Sequence, residues 1–128
     1  MKIIDIPTEQ TTAATDAILA IFAIGTIVYL NRIGMQDLWK MKVWCWMFVF
    51  IAIAASLGTI VHGFVISSRL EFFLWQPLAL SLAFSVGLLA VGVAYDVWGV
   101  NAARRLLPIM LISIVILYVL ARLVDGSI

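Results

Sequence analysis

Four long runs of apolar residues alternate with short polar stretches along the 128-residue chain. The runs are continuous rather than alternating in polarity, which is typical of membrane-spanning helices and not of the strands of a membrane barrel. Each run is close to the roughly 20 residues that an α-helix needs to cross a bilayer core of about 30 Å. The pattern predicts an all-α integral membrane protein, a four-transmembrane-helix up-down bundle with short loops that forms one domain over residues 1–128, with helices at about 11–30, 43–67, 72–95 and 106–124.

The composition supports a lipid environment for this chain. Hydrophobic residues make up 65%, charged residues make up 12%, and the mean hydropathy is +1.16, which leaves too little polar surface to cover a water-soluble globule. A formal net charge of +1 and the lack of a basic stripe exclude nucleic acid as an expected partner. The single cysteine, Cys45, forms no intrachain disulfide.

The basic residues of the short connections predict the orientation. Five of them follow the first and third apolar runs, whereas Lys2, Arg69 and Arg122 fall on the other side. Because basic loops face the cytoplasm, this five-to-three bias predicts a multi-pass protein of the cell inner membrane with both termini outside the cytoplasm. The five cytoplasmic residues are Arg32, Lys40, Lys42, Arg104 and Arg105.

Ionisable residues inside the apolar runs are the main candidates for chemistry. Asp16 and His62 each lie about five residues inside the outer end of their span, or roughly 7 to 8 Å deep. Their equal depth on consecutive antiparallel helices predicts that the two side chains interact. The same outer layer predicts a polar cluster, which either forms a functional site or only locks the helices together, of Glu9, Thr12, Asp16, Ser56, Thr59, His62, Glu71 and Arg122.

Small residues recur along one side of the second and third spans. Such residues let helix backbones approach closely, which is a main source of association energy in lipid. We expect helix packing at Ala55, Gly58, Gly63, Ser81, Ser85 and Gly92.

His62 is also a candidate cofactor ligand. An imidazole beside Gly58 and Gly63 on an apolar helix leaves room for a flat macrocycle, so a tetrapyrrole such as haem or a chlorophyll-type pigment is one alternative. The residues do not identify any other cofactor. No metal site is predicted, because a catalytic zinc needs three protein ligands and this chain offers only His62 and nearby carboxylates.

Two resemblances arise at these residues. The segments Glu-Gln-Thr-Thr-Ala-Ala-Thr-Asp-Ala-Ile-Leu-Ala at 9–20 and Gly-Thr-Ile-Val-His-Gly-Phe at 58–64 resemble a group of uncharacterised bacterial multi-span proteins, which implies no activity. The chain also resembles the superfamily of alkaline ceramidases and progestin-type receptors, whose early helices supply a serine, a histidine and an acid near zinc. Gly58 stands where that pattern has serine, and the two further histidines are missing, so an intact zinc hydrolase is not expected.

These patterns favour a protein without catalytic residues. We expect an oligomerising module or an accessory subunit of a larger membrane complex, whose partners are the lipid bilayer and either further copies of the chain or other membrane subunits. The alternatives are a hydrolase-like site around Asp16 and His62, a tetrapyrrole-binding subunit, and a small oligomeric transporter or channel.

Overall fold

A computed structural model describes residues 2–34 and 36–124 as an almost entirely helical chain. Two short strands and four long helices follow one another in the order β1 (Lys2–Ile3), α1 (Pro7–Ile33), α2 (Leu38–Gly63), β2 (Phe64–Val65), α3 (Ser68–Trp98) and α4 (Val100–Val124). Each of the four helices is long and apolar enough to cross a membrane. The prediction of an all-helical protein with four helices of spanning length is therefore confirmed.

The helices extend beyond the apolar runs because capping residues lie outside those runs. Pro7 opens α1, where its missing N–H is not needed. The side chains of Asp37 and Ser67 accept hydrogen bonds from the first turns of α2 and α3. Gly34 and Gly99 follow the ends of α1 and α3 with positive φ of 66° and 95°, a backbone region that favours glycine.

A small antiparallel strand pair joins the N-terminal segment to the end of α2. Ile3 pairs with Phe64, Lys2 pairs with Val65, and the Ile4 amide donates to the Gly63 carbonyl at 2.8 Å. The structure therefore ends α2 at Gly63, four residues before the boundary predicted near residue 67. The reason is that residues 64 and 65 take extended backbone to form these hydrogen bonds.

The helices lie side by side as an antiparallel row. In the described residues, α1 packs mainly on α2, α2 on α3, and α3 on α4. The start of α2 meets the end of α3 through an ion pair between Lys40 and Asp96, with 2.6 Å between Nζ and Oδ1. At the opposite end, Tyr118 of α4 donates to Gln76 of α3 at 3.0 Å. The row is open, because α1 and α4 form its two edges and do not pack extensively on each other within the described part of the chain.

The best-packed core lies where α2 and α4 begin and α3 ends. It is formed by buried residues of three helices: Val43, Met47, Leu88, Val91 and Ala103. Most of the large apolar side chains elsewhere are exposed, as they are in helices that face lipid. In the described part of α4, Ala103 is the only buried residue.

Candidate functional site

A hydrogen bond between α1 and α2 is the centre of the candidate site. His62 lies in the last turn of α2, and Glu9 lies in the first turn of α1, so the antiparallel packing brings them together. Nδ1 of His62 is 2.6 Å from Oε2 of Glu9. The two side chains are 25% and 39% exposed, so this pair lies at the edge of the protein and not in its core.

This contact gives the two ring nitrogens of His62 different roles. An ionised carboxylate only accepts hydrogen bonds, so Nδ1 donates to Glu9 when the glutamate is charged. Nε2 is then the nitrogen that remains for a proton or a ligand. The ring of Trp75 on α3 stands edge-on to the imidazole, with 5.8 Å between the ring centroids, and limits its movement on that side.

Asp16 lies about two turns further along α1, against the backbone of α2. Its carboxyl group packs on Gly58, and a Cβ atom at position 58 would overlap with the carboxylate oxygen and lie 3.0 Å from the carboxyl carbon. Glycine therefore makes room for this acid between the helices. Within the described residues, the hydrogen bond of the His62 side chain is with Glu9 and not with Asp16.

Two threonines lie near this contact between α1 and α2 and face different grooves. The hydroxyl of Thr59 donates to the Ala55 carbonyl at 2.9 Å and lies 3.4 Å from the Ala13 carbonyl of α1. Thr12 donates to the Thr8 carbonyl within its own helix at 2.9 Å. Both hydroxyl hydrogens are therefore directed towards backbone carbonyls, while their oxygens remain able to accept.

A groove of about 350 Å³ opens beside this cluster, and we call it the α1–α3 groove because these two helices form its walls over a floor of α2. Its lining is mainly apolar, with a few polar groups near one end, as is typical of ligand sites. The lining residues are Thr12, Asp16, Leu19, Ile51, Ala54, Ala55, Gly58, His62, Trp75, Leu78 and Leu82.

Three residues predicted for the cluster lie elsewhere in the structure. Ser56 is exposed on a different side of α2. Glu71 is exposed and lines a separate shallow groove beside the N-terminal segment. The Arg122 guanidinium stacks on the rings of Phe72 and Tyr118, at 4.8 and 5.8 Å from the ring centroids. Of the other five, Thr12, Asp16 and His62 meet at the same groove, and Glu9 joins them through His62. Thr59 contacts α1 at Ala13 but lines a separate groove.

The six small residues predicted to mediate helix packing are all buried: Ala55, Gly58, Gly63, Ser81, Ser85 and Gly92. A Cβ at Gly63 would lie 3.0 Å from the Cβ of Ala13, so α1 covers this glycine as it covers Gly58. The sequence pattern predicted room for a macrocycle beside these two glycines, but side chains of α1 occupy that space. His62 itself remains accessible from the α1–α3 groove.

The contacts of His62 show which chemical groups stand next to its ring. A serine, threonine or cysteine nucleophile is activated by a base within hydrogen-bond reach of its hydroxyl or thiol. In the described chain, the hydrogen bond of His62 is to Glu9, and no hydroxyl is bonded to its ring. Residues 2–34 and 36–124 also contain no group of three or more His, Cys, Asp or Glu side chains placed to hold a metal ion.

Sequence comparison assigns the chain to a family. The model of DUF6962, a family of unknown function, matches residues 11–128. The chain belongs to this family. No curated protein and no solved structure matches the chain. Membership in DUF6962 agrees with the resemblance to an uncharacterised group, whereas the resemblance to the ceramidase and receptor superfamily stays a prediction. The DUF6962 match includes Asp16 and His62 and begins two residues after Glu9.

The sequence pattern does not predict which residues of α3 line the groove. Trp75, Leu78 and Leu82 recur at three- and four-residue spacing, but the same spacing occurs on every face of a uniformly apolar helix. Only the helix pairing shows which face meets α1 and α2. Trp75 had one usable signal, because an aromatic residue near the end of a span is expected to lie at an interface.

A second groove of about 470 Å³ lies between α2, α3 and α4, towards the start of α2 and away from the α1–α3 groove. Its lining is almost wholly apolar, and Lys42 is the charged residue at its edge. Its aromatic lining residues are Trp39, Trp46, Phe50 and Phe84. Because convergent polar groups are few here, we consider the α1–α3 groove the better candidate site.

Proposed function

We propose that this chain is a multi-pass protein of the cell inner membrane that works without catalysing a reaction, as an oligomerising module or an accessory subunit of a larger membrane complex. The observation that carries this proposal is the open row of helices. In the described residues, α1 and α4 each pack mainly on one neighbour, so the outer side of each is open to another subunit.

The composition of α4 supports a lateral role. Its most apolar window of 18 residues has a mean hydropathy of 2.5, and none of that window is buried. In lipid, helices associate through close packing and polar contacts rather than through the hydrophobic effect. A helix with so little packing inside its own chain gains more contact by packing against a neighbouring subunit.

The proposed orientation places both termini outside the cytoplasm. The end of α1 and the starts of α2 and α4 lie at the same end of the row, and they carry the five basic residues of the larger group. Single cysteines at Gln36 and Arg69 in a Cys45→Ala background test it. A membrane-impermeant maleimide is expected to label position 69 from outside and position 36 only after the membrane is opened. The reverse pattern contradicts the orientation.

Assembly is tested by extracting the tagged chain in native nanodiscs and measuring the mass of the particle by native mass spectrometry. We expect a mass above that of one 14.1 kDa chain, from further copies or from a stoichiometric partner. In the Cys45→Ala background, single cysteines at exposed Ile21 of α1 and Leu117 of α4 are expected to form disulfides between copies if the chain is its own partner. A cysteine at buried Ala23 is the matched control, and it should not cross-link.

The proposal fails if the particle contains one chain, no stoichiometric partner protein and no cross-link. The same sample separates the other functions. An absorption band in the visible range would indicate a tetrapyrrole, and a stoichiometric metal would indicate a hydrolase-like site. Either result would replace the subunit proposal, because both assign chemistry to the polar groove.

A further inference from the structure

The α1–α3 groove has two ends of different chemistry. Asp16, Thr12 and His62 line one end, while Leu19, Leu82 and their neighbours line the other. The groove runs past α3 from Trp75 to Leu82, which is about 10 Å at 1.5 Å per residue. A molecule that fills it therefore needs a polar head and an apolar body.

The polar end has negative charge that the described residues do not balance. The carboxyl group of Asp16 is half-buried in the groove and makes no hydrogen bond or ion pair with another described side chain. No lysine or arginine lines the groove, and His62 is already paired with Glu9. An unpaired carboxylate in apolar surroundings is costly, so a cation that enters the groove is favoured.

The aromatic wall also favours a cation. Trp75 lines the groove at the same end as His62, and indole is the best of the aromatic rings for attracting an organic cation. An ammonium group near Asp16 and Trp75 gains both contacts, and its alkyl chain covers the leucines beyond. A hydrated inorganic cation gains nothing from the apolar end.

We propose that the α1–α3 groove is a binding site for a lipophilic ammonium ion, an amphiphile with one cationic amine head and a single alkyl tail. The head lies against Asp16, and the tail lies along α3 towards Leu82. This site goes beyond the subunit role, and it depends on the groove within one chain rather than on lateral assembly. An isolated chain is therefore expected to bind this ligand even if it forms no complex.

The test uses three probes with the same tail: decylammonium, decanol and decanoate. The full chain in nanodiscs of zwitterionic lipid is titrated by calorimetry, and titrations of empty nanodiscs are subtracted. Decylammonium is expected to saturate one site per chain and to bind at least tenfold more tightly than decanol, with decanoate weakest. Asp16→Asn is expected to weaken decylammonium at least tenfold, whereas Glu71→Gln, an exposed acid outside the groove, should leave its affinity unchanged.

A second pair of variants tests the tail and keeps the carboxylate in place. Leu82 lines the groove and is 49% exposed, so Leu82→Trp should narrow the apolar end and weaken decylammonium. Val86 lies one turn further on α3, is 63% exposed and does not line the groove, so Val86→Trp is the matched control. The proposal is overturned if decanol binds as tightly as decylammonium, or if either Asp16→Asn or Leu82→Trp leaves the affinity for decylammonium unchanged. Displacement of decylammonium by 100 mM Na⁺ or K⁺ would instead indicate a site for an inorganic cation, and it would also overturn the proposal.

Discussion

Replacing Gly92 with alanine is expected to destabilise the contact between α2 and α3. The Trp44 ring lies directly over Gly92, and an added Cβ would be 2.8 Å from Cζ2, 3.1 Å from Cε2 and 3.2 Å from Cη2 of that ring. Carbon atoms in favourable contact are about 3.5 to 4.0 Å apart. The ring therefore has to move by several tenths of an ångström, although it packs against the core residues around Val91.

The expected loss follows from two opposing terms. Overpacking a well-packed site costs about 1 to 3 kcal/mol. Alanine recovers up to about 1 kcal/mol through its better helix propensity. We therefore expect Gly92→Ala to lower the free energy of unfolding by up to about 2 kcal/mol, and to be about 1 to 3 kcal/mol less stable than a variant that gains the same helix propensity without a clash. Gly25→Ala in α1 is the matched control, because nothing lies within 4 Å of its added Cβ. That variant should be as stable as the original chain or more stable.

Both variants can be measured by reversible unfolding in mixed micelles with increasing SDS, followed by circular dichroism. A double-mutant cycle with Trp44→Phe isolates the contact, because phenylalanine lacks the larger ring system that meets position 92. The double variant should lose less stability than the sum of the two single losses. If Gly92→Ala is as stable as Gly25→Ala, or if the two changes are additive, the close contact is not present in the folded protein.

Two further predictions concern the α1–α2 contact. Gly63→Leu should separate the helices and lower stability by more than Gly25→Leu, because only Gly63 faces another helix closely, and SDS unfolding of both variants checks this. Glu9→Gln and His62→Gln should show a coupling of about 0.5 to 1.5 kcal/mol in a double-mutant cycle, reduced by the partial exposure of both side chains. A coupling of zero would mean that His62 and Glu9 do not interact in the folded protein.

The hydropathy pattern was enough to predict four helices but not their ends. It detects apolar runs, whereas the helices continue into polar segments until a capping residue stops them. Pro77 and Pro108 illustrate the difference, because the apolar runs place them near helix starts and the structure places both inside helices. The pairing of Ile3 with Phe64 had no sequence signal, since two-residue strands carry no recognisable period.

Only part of the polar cluster was predicted. The rest was not, because the sequence does not show how each helix is rotated about its own axis. Counting residues along a helix gives the depth of each side chain, and this placed Asp16 and His62 at the same depth, near neighbouring ends of α1 and α2. Depth does not say which way each side chain points, and the structure pairs His62 with Glu9 instead. Arg122 has the right depth as well, but α4 packs on α3, so its guanidinium meets Phe72.

The strand pair at the N-terminal segment has a consequence for the order of folding during synthesis. Ile3 leaves the ribosome first, and its partner Phe64 follows 61 residues later. At about 5 to 20 residues per second, the first strand waits on the order of 3 to 12 s before it can pair. When β2 emerges, the pairing joins both ends of the α1–α2 hairpin, because the other ends already meet through the loop after Ile33. Helices α1 and α2 are then held together at both ends, and α3 and α4 pack on this pair in turn. The described part of α4 forms no strand pair, so any later sliding between helices is expected at α4.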